Sequence, residues 1–221
     1  MLIHPWDAAL ETAEWQDWLA NTDRFGMLAV NNVDPTQAPV VVPTHFTVAG
    51  EELLVHLARP NPVWPHMEAA GEVRLVVIGD YAYIPTYWRA KAGGPDEDGV
   101  PTSYYTSVQF VCRPTVVDDA EGKVSILAAQ LGDFQPEGGH AEVAVADGPY
   151  GRMLPGIRGL RLSVVRVEAK FKYDDHNPVE HRERVIGNLE DRNHGLDSGA
   201  AAQQRRRLAA IGDWKTFRNK R

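Results

Sequence analysis

The stretch whose residue types most suggest chemistry is His56-Leu57-Ala58-Arg59-Pro60-Asn61-Pro62-Val63-Trp64, where a predicted strand ends and a short predicted helix begins. A helix N-terminus offers free backbone N–H groups and a positive dipole end to an anion, and Arg59 adds a guanidinium fork suited to phosphate. The stretch therefore predicts a phosphate site. The structural alternative is that Arg59 pairs with a carboxylate, Asn61 caps the helix and Trp64 is a core residue.

Aromatic and hydroxyl side chains gather in a second region, on both sides of a predicted surface loop. They lie in Gly79–Trp88 before the loop and in Val100–Tyr105 after it. The loop, Ala92–Gly99, has three glycines, a proline and three acids, a composition that does not pack. Flat rings can flank a planar ligand while hydroxyls hydrogen-bond its edge, although aromatic residues are also common in strands.

The elements that must position these residues are mostly strands. Alternating or continuous apolar patterns predict strands over Phe25–Val33, Val40–Val48, Glu52–Ala58, Val73–Ile84, Tyr104–Val117 and Leu160–Val167, the first two forming a hairpin. Helical spacing predicts helices over Asp7–Ala20 with Asp7 as cap, Pro62–Ala70, Asp118–Leu131, Pro178–Leu189 and Ala200–Ile211, with Gly195–Gly199 as a linker.

Few helices separate these strands, whereas a parallel sheet needs a crossover helix after nearly every strand. The fold class predicted is therefore α+β, dominated by an antiparallel β-barrel, with peripheral and C-terminal helices. A chain of 221 residues can bury one substantial core, so we predict a single domain over 1–221 whose residues 178–221 form a helical extension.

The charge pattern argues against a surface built for nucleic acid. The formal net charge is −7, whereas duplex binding needs a clustered positive face. Basic residues do cluster near the C-terminus, at Arg205, Arg206, Arg207, Lys215, Arg218, Lys220 and Arg221. Such a run is more often a solvated helix face, but nucleic-acid contact there stays open.

The single cysteine, Cys112, excludes an intramolecular disulfide and a multi-cysteine metal site, and its place in a predicted strand indicates a small buried hydrophobe. The eight histidines are scattered without zincin spacing, so no metal is predicted. We find neither a secretory leader nor a run of about 18 apolar residues, and expect a cytoplasmic protein that does not enter a membrane.

Three motifs together resemble the PaiB-type FMN-binding proteins, in the same order and at similar spacing. They are the run at 56–64, Tyr-Ile-Pro-Thr-Tyr-Trp at 83–88, and Val-Pro-Thr at 100–102 followed by Tyr105, with further similarity at Pro43–Phe46. The resemblance implies the FMN-binding split barrel shared with pyridoxamine-phosphate-oxidase-like proteins, FMN as the cofactor, and a homodimer with flavin sites along the subunit interface.

Carried onto matching positions, the resemblance implies two groups of cofactor-binding residues. Those near the flavin phosphate and ribityl chain would be His56, Arg59, Asn61 and Trp64. Those near the rest of the pocket would be Tyr83, Thr86, Trp88, Thr102 and Tyr105.

The chain departs from the family pattern at two places. Thr102-Ser103-Tyr104-Tyr105 stands where the family usually has Thr-Trp-Asn-Tyr, which removes a stacking ring. Asp174 and Asp175, within Phe171–Asn177, stand where the family usually has Lys-Leu-Ser-Gln-Asn, so negative charge is expected where the family is polar or basic. A different ligand, or a lost flavin site, is the alternative that these changes raise.

Three functions follow from this reading. The first is a flavin-dependent oxidoreductase acting on a small molecule, with no catalytic residue assigned and with Tyr83, Tyr105 or His45 as candidate donors to ring or substrate. The second is a transcriptional regulator that carries flavin as a sensor or structural ligand and meets DNA through the C-terminal basic cluster. The third is haem binding, with His45 or His56 as axial ligand.

Overall fold

The computed structural model describes residues 1–91, 93–146 and 148–220. Its strands are β1 (Phe25–Val30), β2 (Val40–His45), β3 (Thr47–Ala49), β4 (Glu52–Ala58), β5 (Val73–Ile84), β6 (Thr102–Val117) and β7 (Ile157–Lys172). Its α-helices are α1 (Thr12–Ala20), α2 (Trp64–Ala69), α3 (Thr86–Arg89), α4 (Ala120–Phe134), α5 (Pro149–Met153), α6 (Val179–Arg192), α7 (Asp197–Ile211) and α8 (Trp214–Arg218).

The strands form one sheet in the order β2-β1-β5-β6-β7-β4-β3. The predicted hairpin is confirmed, because β1 pairs antiparallel with β2 in a register that sets Phe25 opposite His45 and Val30 opposite Val40. β1 also pairs antiparallel with β5, and β4 pairs antiparallel with both β3 and β7. The predicted α+β class with a dominant antiparallel sheet is confirmed.

Contacts divide the chain into two compact units. The first unit comprises residues 1–22, 78–108 and 168–221, and the second comprises residues 23–77 and 109–167. The three long strands β5, β6 and β7 each contribute residues to both units. The single-domain assignment stays a prediction.

In the second unit, α4 packs on the sheet through a small apolar cluster. Leu54, Val117 and Ile126 are buried together. Gly159 on β7 allows this close approach, since a Cβ there would come within 2.5 Å of the Ile126 Cδ1 atom. Of the two aspartates at the start of this helix, Asp118 and Asp119, it is Asp119 that caps α4, because its carboxylate accepts a 2.7 Å hydrogen bond from the Gly122 N–H.

In the first unit, ion pairs among fully buried groups join the C-terminal helices to the N-terminal segment. Arg182 on α6 and Arg207 on α7 both contact the carboxylate of Asp175, and all three side chains are 0% exposed. Arg207 also pairs with Glu14 of α1 at 2.6 Å. Charged groups are buried only where they are paired, so this network fixes where α6 and α7 lie.

Several predicted boundaries differ from the structure. The first helix begins at Thr12, and Asp7 is not its cap but is buried 3.7 Å from the ammonium group of Lys170. The strand predicted over residues 40–48 is two strands with different partners, since β2 pairs with β1 while β3 pairs with β4. The last strand, β7, is 16 residues long, twice the predicted span.

The linker prediction is wrong in part, because α7 already begins at Asp197. Gly199 therefore lies within this helix, where its missing side chain has a clear reason: a Cβ would come 2.4 Å from Oδ1 of Asp80. Ala92, at the start of the predicted loop, lies outside the described residues, and Asp96–Asp98 form one turn of 3₁₀ helix in the remainder. No helix in the described ranges is long and apolar enough to cross a membrane.

Candidate functional site

The predicted phosphate residue Arg59 follows β4 and is held by other parts of the second unit. Its guanidinium pairs with Asp118, and its Nε donates a 2.7 Å hydrogen bond to the carbonyl of Pro155. The Arg59 hydrogen bond lowers the pKa of Asp118, with Arg158 contributing. These contacts match the alternative in which Arg59 pairs with a carboxylate. A phosphate would have to share the Arg59 guanidinium with Asp118 or displace Asp118 from it.

Asn61 and Trp64 also make structural contacts in this segment. The side-chain oxygen of Asn61 accepts a 3.0 Å hydrogen bond from the Val63 N–H, an Asx-turn that leads the chain into α2. Trp64 is buried, donates from Nε1 to the Ala58 carbonyl at 3.0 Å, and lies under the guanidinium of Arg158 at 4.9 Å. One face of this indole is therefore already covered by a cation.

His56 points along the second unit toward α4. Its Nδ1 lies 2.6 Å from Oε1 of Gln130, and its ring meets that of His45 edge-on at 5.3 Å. Burial, with a smaller contribution from His56, lowers the pKa of His45. The structure therefore brings two of the histidines singled out by sequence into contact as a pair.

In the first unit, β6 and β7 bring Thr102 and Tyr105 together around a lysine that the sequence analysis did not select. The Lys172 ammonium donates to the Thr102 hydroxyl and, at 2.9 Å, to the Ser103 carbonyl. It also lies 5.9 Å from the centre of the Tyr105 ring. Burial lowers the pKa of Lys172, and no carboxylate oxygen of the described residues lies within 4 Å of it.

The signal that could have found Lys172 is the alternation of β7. Lys170 and Lys172 are two residues apart, so they share one face of the strand. Both ammonium groups lie within 6 Å of the Tyr105 ring, Lys170 at 5.7 Å. Because β7 was predicted to end at residue 167, this pair fell outside the predicted strand.

Tyr83 and Trp88 meet at a different cation. Arg192, at the end of α6, donates to the Tyr83 carbonyl at 2.9 Å and lies 4.5 Å above the Trp88 ring. Its guanidinium is held by a two-pronged pair with Asp197, at 2.6 and 2.7 Å. The Tyr83 side chain is half exposed, whereas one face of Trp88 is occupied by the guanidinium.

Thr86 opens α3 and packs against the end of the predicted loop. A Cβ on Gly99 would lie 1.9 Å from the Thr86 carbonyl oxygen, so a glycine is required at this contact. The predicted residues of the first unit are therefore grouped in pairs around Lys172 and Arg192, with Thr86 beside Gly99.

The expected negative charge at residues 174 and 175 does not face open space. Asp175 is enclosed by Arg182 and Arg207, as described above. Asp174, in a left-handed conformation with φ of 56°, pairs with Arg89 at 2.8 Å and accepts a 3.2 Å hydrogen bond from the Tyr104 hydroxyl. Both carboxylates are thus neutralised inside the first unit.

The C-terminal basic cluster is not one open surface. Arg207 is fully buried, and Arg205 and Arg206 pair with Glu190 and Glu14. Lys215, Arg218 and Lys220 are exposed, and Arg221 lies outside the described residues. Arg207 therefore cannot contact a phosphate, which corrects its place in that cluster.

The residues present fit a flavin best around Lys172. FMN carries a phosphate, a hydroxylated chain and a flat ring, which call for a cation, hydrogen-bonding groups and aromatic faces. The Lys172 ammonium, which is half-buried and has no carboxylate partner in the described part of the chain, supplies the cation. The Thr102 hydroxyl and the Tyr105 ring supply the hydrogen-bonding group and the aromatic face. In the second unit, Arg59 and Trp64 are the corresponding groups, each already engaged by protein partners.

The antiparallel sheet defines the chain as a split-barrel protein. Residues 1–166 match the family described as "Putative FMN-binding domain", and the chain belongs to that family. FMN is the cofactor that this membership assigns.

Solved structures of low sequence identity share the fold. One is described as a 5-nitroimidazole antibiotic resistance protein from Bacteroides thetaiotaomicron, with TM-score 0.55, 10% identity, and coverage of 73% of this chain and 84% of that one. The flavocytochrome Anf3 from Azotobacter vinelandii has TM-score 0.54, 14% identity, and coverage of 75% and 73%.

A third similar structure is an FAD and heme binding protein from Mycobacterium smegmatis, with TM-score 0.55, 18% identity, and coverage of 74% of this chain and 72% of that one. No curated protein matches the chain significantly in sequence.

Proposed function

We propose that this protein is a flavin-dependent oxidoreductase in which Lys172, Thr102 and Tyr105 form part of the FMN site. The observation that carries the proposal is the half-buried Lys172 ammonium, which is held by a hydroxyl and a carbonyl and has no carboxylate of the described residues within 4 Å. A cation in that state is stabilised by an anionic ligand, and FMN brings a phosphate.

The roles of the chain's own residues follow from their chemistry. Lys172 binds an anionic oxygen of the cofactor, Thr102 positions the ammonium, and Tyr105 offers an aromatic face beside it. FMN supplies the hydride and electron transfer when bound, so the protein needs only to bind, orient and shield it.

A homodimer is part of the proposal, and the outer face of β1 and β2 supports it. Phe25, Met27 and Val41 are 56%, 49% and 54% exposed, although each lies in a strand of the second unit. Apolar side chains side by side on a sheet face are typical of a surface covered by another subunit. We expect a dimer in sedimentation velocity and a shift to monomer in Met27→Glu, and an unchanged dimer would refute this choice of face.

FMN binding is tested by titrating flavin into purified protein that has been freed of it, and following the flavin absorbance and fluorescence. We expect saturable binding that Lys172→Met weakens at least about tenfold, since a hydrogen bond to a charged group contributes about 1.5–3 kcal/mol. Lys215→Met, the same change at an exposed position on α8, serves as the control.

The variant Arg59→Ala tests whether the FMN phosphate binds beside α2 or beside Lys172. If Arg59→Ala weakens FMN binding and Lys172→Met does not, the phosphate belongs beside α2 and the role given to Lys172 is wrong. If wild-type protein takes up no flavin, the proposal as a whole fails.

Haem binding is the second candidate, because the structure pairs His45 with His56. The centres of the two rings lie 5.3 Å apart, and burial favours the neutral form of His45, which can ligate iron. Two structures of similar fold are of a flavocytochrome and of an FAD and heme binding protein. A Soret band on adding hemin, lost in His45→Ala, would support this candidate, and its absence would remove it.

The hypothesis of a transcriptional regulator rests on fewer basic side chains than the sequence alone indicated. Lys215, Arg218 and Lys220 are exposed, whereas Arg205 and Arg206, although exposed, are paired with Glu190 and Glu14. DNA binding that is abolished by changing these three to glutamate would support it, and their replacement leaves the buried Arg207 network untouched.

A further inference from the structure

A pocket lies within the first unit, between the segment after α3 and the first turn of α6. It has a volume of about 750 Å³ and is lined by residues from 89–100 and from 177–184. Small-molecule sites usually measure about 300–1,000 Å³. Residues 89–100 lie within the part of the chain that matches the FMN-binding family, whereas residues 177–184 lie beyond it, so the family match covers only one side of this pocket.

Arg184 is the charged group whose position in the pocket is best fixed. One of its terminal nitrogens donates to the Ala90 carbonyl at 2.9 Å and lies 3.2 Å from Nδ1 of His181. A guanidinium can only donate, so Nδ1 of His181 accepts and its ring is held as the neutral tautomer. Arg184 is half-buried, and none of the described carboxylates lies within 4 Å of it.

The other charges differ in how they are compensated. Arg89 is paired with Asp174 at 2.8 Å and donates to the Val100 carbonyl at 2.9 Å, so it is neutralised within the protein. Three further charged residues are exposed at the pocket rim, where water screens a charge so that it contributes little to binding: Lys91, Asp98 and Glu180. The uncompensated charge inside the pocket is therefore the positive charge of Arg184.

The start of α6 adds to this positive potential. The helix is 14 residues long and its N-cap, Pro178, has no side chain that could accept a hydrogen bond from the first turn. Asn177, Pro178 and Glu180 line the pocket at this end. Free N–H groups and the helix dipole favour an anion at such a position.

We propose that this pocket binds a small organic anion distinct from FMN, with a carboxylate or phosphate group directed toward Arg184 and the start of α6. Val100 and Pro178 provide apolar contact for the rest of the molecule. The pocket thus gives the protein a site for a second small ligand, built equally by the segment after α3 and by the helical segment that follows the family-matched region.

The test measures binding of two probes, citrate and pyrophosphate, by isothermal titration calorimetry at constant ionic strength, on protein with and without FMN. We expect saturable binding of at least one probe. Arg184→Met should weaken it at least about tenfold, and Lys91→Met about threefold, as for an exposed charge. Lys215→Met, on α8 and outside the pocket, should leave it unchanged.

The outcomes separate the proposal from its rivals. Binding of citrate alone or of pyrophosphate alone supports it and identifies a carboxylate or a phosphate as the recognised group. Absence of saturable binding for both probes, or equal affinity in wild type and both pocket variants, overturns it. Lys91→Met keeps the test valid if Arg184→Met proves unstable, because Lys91 is exposed.

Flavin uptake is measured on the same variants. Unchanged FMN affinity in Arg184→Met and Lys91→Met is expected. If these changes weaken FMN binding and FMN displaces the probes, the pocket belongs to the flavin and the inference of a second ligand is overturned, whereas the oxidoreductase proposal stands.

Discussion

Replacing Asp175 by asparagine would remove a negative charge that two buried arginines share. Oδ1 of Asp175 lies 2.7 Å from a terminal nitrogen of Arg182, while Oδ2 accepts from Nε of Arg207. All three side chains are fully buried. Burial raises the pKa of Asp175 and the two guanidiniums oppose that rise, so the charged carboxylate is held here by the arginines.

The magnitude follows from what remains after the substitution. Glu14 still pairs with Arg207 at 2.6 Å, but among the described residues no other carboxylate pairs with Arg182, which keeps only the Gly212 carbonyl at 3.1 Å. Removing one partner of a buried ion pair costs about 3–5 kcal/mol. For a chain of this size that corresponds to a fall in Tm of about 6–20 °C.

The assay is urea unfolding followed by circular dichroism, with thermal unfolding as a second measurement. The control is Glu190→Gln, which breaks the exposed pair with Arg205 and should change the free energy of unfolding by at most about 1 kcal/mol. If Asp175→Asn changes the free energy of unfolding by less than the control does, the buried network does not hold the C-terminal helices in place.

Three further predictions concern other residues. Gly199→Ala should destabilise the protein by about 1–3 kcal/mol in urea unfolding, because its Cβ would lie 2.4 Å from Oδ1 of Asp80, and an unchanged midpoint would contradict this packing. Burial lowers the pKa of His181 below 6.5, so its contribution to stability is present above that pH and is lost as the pH falls toward the folded-state pKa. His181→Gln should therefore flatten the loss of stability between about pH 7 and 5, and His140→Gln, at an exposed position, serves as the control. Burial raises the pKa of Cys112 to about 12, so the native protein should not react with a thiol reagent until it unfolds, and rapid labelling at neutral pH would show that this strand is open.

Interpretation of the sequence succeeded where the pattern is local. The strands over Glu52–Ala58 and Val73–Ile84 and an aspartate cap at the start of α4 depend on residues close in the chain, and each is found where expected. The buried state of Cys112 follows from its place in a strand in the same way. The family motifs also lie in short continuous segments, which is why the FMN-binding assignment was available before the fold.

Other features depended on partners distant in sequence. Lys172 is 70 residues from Thr102, and Arg207 is 193 residues from Glu14, so neither contact leaves a local pattern. The same is true of Gly199, which looks like a linker residue until Asp80 is seen against it.

The sequence by itself determined the class of fold, the family and its cofactor, because strand alternation and short motifs are written in neighbouring residues. The tertiary structure decided which charges are free. It turned Asp175 and Arg207 from pocket and surface residues into a buried network, tied Arg59 to Asp118, and left Lys172 and Arg184 without carboxylate partners in the described residues. Whether a charge is paired depends on what folding brings within about 4 Å of it, and that information is spread over the whole chain.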